Sequence, residues 1–116
     1  MTPHRGEIYL VDLNDAIGSE QGGVRPAVIV QNEMGNEHSP TTIICPLTSK
    51  NKKMLPTHTV LTPVDCGITK DSVVLCEQVR AISKERLKKR LGMVSNMEKL
   101  EDINRKMIIS LGLKRA

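Results

Sequence analysis

Arg25 is a candidate for binding an anion such as a phosphate. It follows a glycine-bearing segment, residues 18–24, and precedes Pro26. A proline restricts the residue before it, so we expect the backbone of Arg25 to be extended. The planar guanidinium of an arginine can present two parallel donors to a phosphate. A salt bridge to a local carboxylate such as Glu20 is the alternative, and the local sequence favours neither interpretation.

The segment that leads to Arg25 is itself a candidate functional loop. Residues 18–26 exceed the length of a tight hairpin turn and contain the polar side chains of Ser19, Glu20 and Gln21. Loops of this kind more often serve binding or catalysis than folding. The pattern of a phosphate-binding P-loop, GxxxxGK[ST], is missing. We therefore interpret this segment as an active-site loop, with a flexible surface turn as the alternative.

A hydroxyl next to a group of lysines is the second candidate. Thr48 ends an apolar run, and Lys50, Lys52 and Lys53 follow it closely. A hydroxyl and an ammonium group at a strand end suit contact with a phosphate or an oxyanion. The alternative is a turn-initiating threonine before a solvated run of charge.

Basic residues are concentrated in the second part of the chain. The net charge is +4, yet residues 1–48 contain two basic and six acidic residues, whereas residues 49–116 contain fifteen and seven. Gln78 precedes Arg80, which begins a stretch of six basic residues that ends at Arg90. This asymmetry indicates a nucleic acid or an acidic partner, or else a solvated lysine-rich surface.

Several other classes of site are excluded by the residue types. His4, His38 and His58 lie in no recognisable nucleophile or zinc motif. We expect His58 to orient a backbone segment through a hydrogen bond. The three cysteines are widely spaced, and Cys45 and Cys76 lie in apolar runs, which predicts buried thiols.

The composition limits how the chain can hold a ligand. Tyr9 is the single aromatic residue, so the core must be aliphatic and a nucleic-acid site built on stacked aromatic rings is excluded. The N-terminus lacks an apolar signal region, and no apolar run approaches the length of a membrane span. We expect a cytoplasmic protein of one domain, residues 1–116.

Short β-branched runs between turn residues must position these side chains. We predict strands at residues 7–13, 26–32, 41–48, 57–62 and 72–82. They are too close together for helical crossovers, which predicts an antiparallel barrel or sandwich. Because Pro46 cannot donate to a β ladder, we expect an edge strand or a bulge there.

The period changes to that of a helix near the C-terminus. Apolar residues from Met97 to Leu111 recur at helical spacing and predict a long helix over residues 96–111, packed on the β-domain. Ser95 and Glu98 match a capping box with Ser95 as the N-cap, and Gly112 ends the helix.

Two long motifs, in this order and spacing, resemble the MazF/PemK toxin family, in particular its Gram-positive MazF type. The first is RGEIY at residues 5–9 with GSEQGGVRP at 18–26 and VIVQN at 28–32. The second is DSVVLCEQVR at residues 71–80, followed by Lys84 and RL at 86–87, and LPTH at 55–58 is a shorter match. Together they cover nearly the whole chain.

The resemblance implies an SH3-like β-barrel of the CcdB/PemK-like kind with a long C-terminal helix, assembled as a homodimer. It implies a sequence-specific, metal-independent endoribonuclease of a type II toxin–antitoxin system, with no cofactor. Such enzymes cleave single-stranded mRNA and leave 2′,3′-cyclic phosphate and 5′-hydroxyl ends. The 2′-hydroxyl of the RNA is then the nucleophile, which agrees with the missing nucleophile motif.

The resemblance also assigns residues. Arg25 and Thr48 match the catalytic arginine and threonine of the family, and Ser19, Glu20 and Gln21 match its active-site loop. Gln78 is a candidate for base contact, and Lys50 and Arg80 are candidate RNA contacts. Because an arginine is effectively always protonated, we expect Arg25 to stabilise charge on the phosphate, and we expect Glu20 to position it rather than to act as a base.

The family's partners are single-stranded RNA and a MazE-like antitoxin, whose acidic tail would occupy the same basic groove as the RNA. The alternatives are a non-catalytic CcdB-like toxin and an RNA-binding barrel without activity. The CcdB-like branch uses a C-terminal segment with tryptophan, which this chain lacks.

Overall fold

The computed structural model describes residues 2–49 and 53–113, which form an antiparallel sheet with three helices. The strands are β1 (Glu7–Leu13), β2 (Gly23–Ile29), β3 (Thr41–Ser49), β4 (His58–Leu61), β5 (Ser72–Leu75), β6 (Arg80–Ser83) and β7 (Leu87–Met93). The helices are α1 (Glu33–His38), α2 (Pro63–Cys66) and α3 (Met97–Leu111), and single 3-10 turns lie at Cys76–Gln78 and Lys84–Arg86. The prediction of a mostly β fold is confirmed.

The strands pair in the order β4-β5-β3-β2-β1-β7, and β6 also pairs with β3. All pairs are antiparallel, as predicted. Among the described strands this order is open between β4 and β7, so the hydrogen bonds do not close a barrel.

β3 is the central strand and carries Pro46 without being an edge. One side of β3 pairs with β2, while the other side pairs first with β6 and then with β5. The partner strand is interrupted between β5 and β6 by the 3-10 turn Cys76–Gln78, next to the position of Pro46. Of the two expectations for Pro46, an edge strand or a bulge, the edge strand is wrong, because β3 is paired on both sides. A break in the neighbouring strand accommodates the missing N–H.

The core is aliphatic, as the composition predicts. Two groups of buried side chains fill it, one between the sheet and α3 and one beneath β1, β2 and β6. Tyr9 is buried, and all three cysteines are buried and free. A hydrogen bond with Cys76, together with burial, raises the pKa of the Cys45 thiol, which therefore stays protonated.

α3 begins at Met97 and ends at Leu111, within the predicted range 96–111, but its N-cap differs from the prediction. The side chain of Asn96, not Ser95, accepts from the Glu98 backbone N–H, while the Ser95 hydroxyl donates to the Asp65 carbonyl. Gly112 ends the helix in the left-handed conformation. Ile103 is fully buried beneath the helix. Met97 was expected to pack in the core but is exposed.

Two sequence predictions of strands need correction, and one strand was missed. β2 covers Gly23–Ile29 in place of the predicted 26–32, and the predicted strand 72–82 is divided into β5 and β6. β7 was not predicted, because its consecutive Lys88, Lys89 and Arg90 are exposed and hide the strand pattern. Gly92 in β7 is a point of close approach, since a Cβ atom there would collide with the carbonyl oxygen of Cys66. Within the described residues, no helix is long and apolar enough to cross a membrane.

Candidate active site

Arg25 lies on β2, and main-chain carbonyl groups hold its guanidinium. Nε donates to the carbonyl of Gly22 at 2.7 Å, and Nη1 donates to the carbonyl of Leu47 at 3.3 Å. The pairing of β2 with β3 ends at Ala27 and Pro46. Pro26 has no N–H with which to extend the ladder, and the Leu47 carbonyl accepts from the Arg25 side chain instead.

Thr48 lies across from Arg25. If the β2–β3 register continued two residues beyond Ala27 and Pro46, it would bring Arg25 opposite Thr48. Both residues line one cavity of about 430 Å³, which we call the Arg25 cavity. Thr69, Lys70 and Asp71 from the loop before β5 also line it. The sequence analysis missed this loop, because nothing in the chain between α2 and β5 indicates that it returns to β3.

Arg25 differs from most arginines of this chain in its lack of a carboxylate partner. Four of the described arginines form ion pairs: Arg80 and Arg86 with Asp15, Arg90 with Glu7, and Arg105 with Asp102. Arg5 has no carboxylate on its guanidinium but donates to the Val30 carbonyl and to Asn104. Arg25 pairs with no carboxylate of the described residues, so its positive charge stays uncompensated beside a cavity.

The candidate loop of residues 18–26 contributes to a second cavity, of about 460 Å³, which we call the Arg80 cavity. Five of the predicted site residues line it: Ser19, Glu20, Gln21, Gln78 and Arg80. The Gln78 side chain holds the loop, because its Oε1 accepts from the Gln21 backbone N–H at 2.6 Å and its Nε2 donates to the Ser19 carbonyl at 3.5 Å. Sequence reasoning identified these residues but did not separate them from Arg25 and Thr48.

Glu20 does not position Arg25 as expected. Its Oε1 accepts from the backbone N–H of Ile17 at 2.8 Å, and among the described residues no ion pair joins it to Arg25. The expectation of a positioning role is therefore corrected: Glu20 shapes its own loop, and backbone carbonyls hold Arg25.

The basic stretch from Arg80 to Arg90 is not one open patch. Arg80 and Arg86 both donate to Asp15, at 3.1 and 2.9 Å, and hydrogen bonds from Arg80 are the main cause that lowers the pKa of Asp15. Lys84 donates to the Asn36 carbonyl. Lys88 and Lys89 are exposed on β7. Lys50, another predicted contact, lies outside the described residues.

His58 orients the backbone, as predicted. Its Nδ1 accepts from the Leu55 backbone N–H at 3.1 Å, so Nε2 carries the proton and faces Glu77 Oε2 at 3.1 Å. Burial alone would raise the pKa of Glu77, but hydrogen bonds from His58 and Thr57 lower it below its usual range. Within residues 2–49 and 53–113, no group of three or more His, Cys, Asp or Glu side chains is arranged to hold a metal ion.

Comparison with known proteins identifies relatives over nearly the whole chain. Residues 4–111 match the family described as PemK-like, MazF-like toxin of type II toxin–antitoxin system. An endoribonuclease MazF of Staphylococcus saprophyticus is 46% identical over 110 residues, which are 94% of this chain and 91% of that protein.

Solved structures agree with this result. MazF from Deinococcus radiodurans superposes with a TM-score of 0.83 at 26% identity and covers 97% of this chain and 99% of its own. An endoribonuclease from a mycobacterial species, solved in complex with its cognate antitoxin, has a TM-score of 0.79 at 27% identity, with 98% and 99% covered. On these matches, the chain belongs to the PemK-like, MazF-like family of toxins of type II toxin–antitoxin systems.

Proposed function

We propose that this endoribonuclease toxin cleaves single-stranded mRNA at specific sequences in the Arg25 cavity, without a metal ion or other cofactor. The attacking group is the 2′-hydroxyl of the RNA, and the products carry 2′,3′-cyclic phosphate and 5′-hydroxyl ends. The observation that carries the proposal is that Arg25 and Thr48 line one cavity, with the charge of Arg25 unpaired among the described residues.

Arg25 is proposed to stabilise the negative charge that develops on the phosphate. Its Nε and Nη1 are held by the carbonyls of Gly22 and Leu47, which fixes the plane of the guanidinium. The remaining N–H donors are available to the phosphate oxygens. Donors that are already oriented stabilise the transition state without reorganisation.

Thr48 is proposed to donate a hydrogen bond from its hydroxyl to a non-bridging phosphate oxygen. A neutral hydroxyl contributes less than a guanidinium because a charged donor forms the stronger hydrogen bond to a phosphate. Thr48 therefore supports the charge stabilisation that Arg25 provides.

The Arg80 cavity is proposed to hold nucleotides next to the cleaved bond. Ser19, Glu20, Gln21, Gln78 and Arg80 offer hydrogen-bonding groups of both kinds there, and Lys50 is a further proposed RNA contact. With a single aromatic residue in the chain, recognition depends on such polar groups and on arginine planes as stacking surfaces.

The finer structural and partner assignments are part of the same proposal. We propose that residues 1–116 form one domain, that the curved sheet with its long C-terminal helix corresponds to an SH3-like barrel of the CcdB/PemK-like kind, and that two copies form a homodimer. A MazE-like antitoxin is proposed as the protein partner, since the mycobacterial relative was solved with its cognate antitoxin. With mRNA as the substrate, the toxin acts in the cytoplasm.

The test uses a long single-stranded RNA incubated with the purified protein in EDTA, with the 5′ ends of the products mapped. We expect wild-type protein to cut at a recurring sequence and Arg25→Ala to lose this cleavage. An oligonucleotide with a 2′-deoxy sugar at the mapped position should resist cleavage. Cleavage of that oligonucleotide, or undiminished cleavage by Arg25→Ala, contradicts the proposal.

A non-catalytic CcdB-like toxin or RNA-binding barrel is not favoured. The 46% identical relative is an endoribonuclease, and both Arg25 and Thr48 are present in one cavity here.

A further inference from the structure

The proposed cleavage needs a group that accepts the proton of the 2′-hydroxyl. A 2′-hydroxyl attacks phosphorus well only when a base removes its proton in the transition state. Arg25 cannot serve, because a guanidinium has no acceptor and does not lose its proton in proteins. Thr48 is a hydroxyl and is a poor base at neutral pH.

Asp71 is the one carboxylate that lines the Arg25 cavity among the described residues. The other polar and charged side chains that line it belong to Arg25, Thr48, Ser49, Thr69, Lys70 and Ser72. Of these described lining residues, Asp71 alone carries an anionic group with oxygen lone pairs that can act as a general base. The loop of Asp71 was not among the sequence-predicted site residues.

The sheet places Asp71 near the end of β3. β5 pairs with β3 so that Val73 lies opposite Thr48 and Ser72 opposite Ser49. Asp71 directly precedes Ser72, at the start of β5 and next to the end of β3. The pairing of β5 with β3 thus places the Asp71 carboxylate near the end of β3, where Thr48 lies.

The Asp71 carboxylate is also available. Asp71 is exposed, and among the described residues its side chain forms neither a hydrogen bond nor an ion pair. It does not neutralise Arg25, although both line the same cavity. A cavity of about 430 Å³ lies within the usual range of small-ligand sites, so its volume can hold a phosphodiester and its ribose.

The other acidic candidates are engaged elsewhere. Glu20 accepts from the Ile17 backbone N–H and lines the Arg80 cavity. Glu77 lines the same second cavity and accepts from Thr57 and His58. Neither carboxylate lines the cavity that contains Arg25 and Thr48.

We propose that Asp71 is the general base of the cleavage, an assignment that rests on the function proposed above. The carboxylate takes the proton of the 2′-hydroxyl while the 2′-oxygen forms its bond to phosphorus and the bond from phosphorus to the 5′-oxygen breaks. The departing 5′-oxygen takes a proton from water, and the carboxylic acid of Asp71 then returns its proton to the solvent. The reaction is a transesterification with no net change in protons or electrons.

The experiment compares wild type with Asp71→Asn on an RNA oligonucleotide that contains a mapped cleavage site. Asp71→Asn keeps the shape of the side chain and removes its basicity. We expect kcat to fall by about a hundredfold or more, within the range of general-base effects. KM, and binding of the uncleavable 2′-deoxy oligonucleotide, should stay within about threefold of wild type, because the base acts on the reacting proton.

The pH dependence of kcat provides the second measurement. For wild type we expect kcat to rise with pH on the acidic side, since the carboxylate must be ionised to accept a proton. Asp71→Asn should lose that rise, while Arg25 and Lys70, the other charged side chains that line the cavity, remain unchanged. Glu101→Gln, the same charge change on exposed α3, is the matched control and should retain wild-type kcat and pH dependence.

The assignment is overturned if the kcat of Asp71→Asn is near that of wild type, or if kcat of the variant still rises with pH on the acidic side. It is also overturned if weakened binding of the 2′-deoxy oligonucleotide accounts for the loss of activity. These results are distinct from failure of the proposed function. If wild type cuts the 2′-deoxy oligonucleotide, the 2′-hydroxyl route fails and the base with it. If wild type requires the 2′-hydroxyl and Arg25 but not Asp71, only the base assignment fails.

Discussion

The two cavities beside β3 contain arginines in opposite electrostatic states. In the Arg25 cavity, the guanidinium is held by the carbonyls of Gly22 and Leu47 and keeps its charge uncompensated among the described residues. In the Arg80 cavity, Arg80 shares Asp15 with Arg86. A carbonyl orients an arginine and leaves its charge available, whereas a carboxylate orients it and compensates that charge. The difference separates a site suited to charge stabilisation from one suited to binding.

The largest expected effect is that of removing the unpaired arginine. Arg25→Ala should lower kcat by about a thousandfold, the upper end of what one lost transition-state donor costs. Arg25→Lys should recover only part of the rate, because a lysine keeps the charge but loses the planar fork. Arg80→Ala is the control from the other cavity and should change KM more than kcat. Equal losses of kcat in Arg25→Ala and Arg80→Ala would remove the distinction between the cavities.

Thr48→Ala should have a smaller effect in the same cavity. One hydrogen bond to a charged oxygen contributes about 1.5–3 kcal/mol, which corresponds to a loss of about ten- to a hundredfold in kcat. Thr48→Ser keeps the hydroxyl and should recover most of the rate when both variants are compared in a single-turnover assay. A loss for Thr48→Ala larger than that for Arg25→Ala would reverse the proposed roles.

Asp15→Asn should make the second cavity resemble the first. Releasing Arg80 and Arg86 from their shared carboxylate adds up to two phosphate contacts, each of which steepens the salt dependence of single-strand binding by about 0.7 in log–log slope. We expect tighter binding of the 2′-deoxy oligonucleotide at low salt, with kcat within about twofold. Glu101→Gln controls for the change in net charge. An unchanged salt slope would mean that the two arginines already contact RNA.

The smallest expected effect concerns stability at acidic pH in the Arg80 cavity. Because the pKa of Glu77 is lowered in the folded protein, its contribution is present above the unfolded-state pKa and is lost as pH falls through the folded-state value. Urea unfolding should therefore show a decrease of under about 1 kcal/mol from this group between pH 5 and pH 3, a window about the ordinary glutamate pKa. Glu77→Gln should flatten that part of the profile. An identical pH profile in the variant would exclude Glu77 as its source.

The parts of the fold that depend on local pattern were predictable from the sequence. The short apolar run between turn residues predicted both ends of β1, and the apolar period together with Gly112 predicted the helix of α3. β7 was missed because it pairs with β1 along an exposed basic stretch, where hydrophobic alternation disappears. Residues Gly23–Arg25 of β2 were missed for a related reason, because they form a strand through pairing with β1 and not through their own composition.

The candidate site follows the same division between local and long-range information. Arg25 and Thr48 could be singled out from their neighbours in the sequence. The cavity that Arg25, Thr48 and Asp71 line depends on the pairing of β3 with β2 and β5. The Asp15–Arg80 pair, which joins residues 65 positions apart, depends on the pairing of β3 with β6. Glu20 was misassigned for this reason: nearness to Arg25 in sequence suggested a contact that the loop conformation does not make.

The two acceptors of Arg25 have a consequence for how such a chain can diverge. Both are main-chain oxygens, of Gly22 and Leu47, and every amino acid supplies a carbonyl at those positions. Substitutions in the loop of Ser19 to Gln21, or on the surface of the Arg80 cavity, need not remove an atom that holds the guanidinium. If the proposed roles hold, mutational drift can alter which RNA sequence is bound while the guanidinium of Arg25 keeps its orientation.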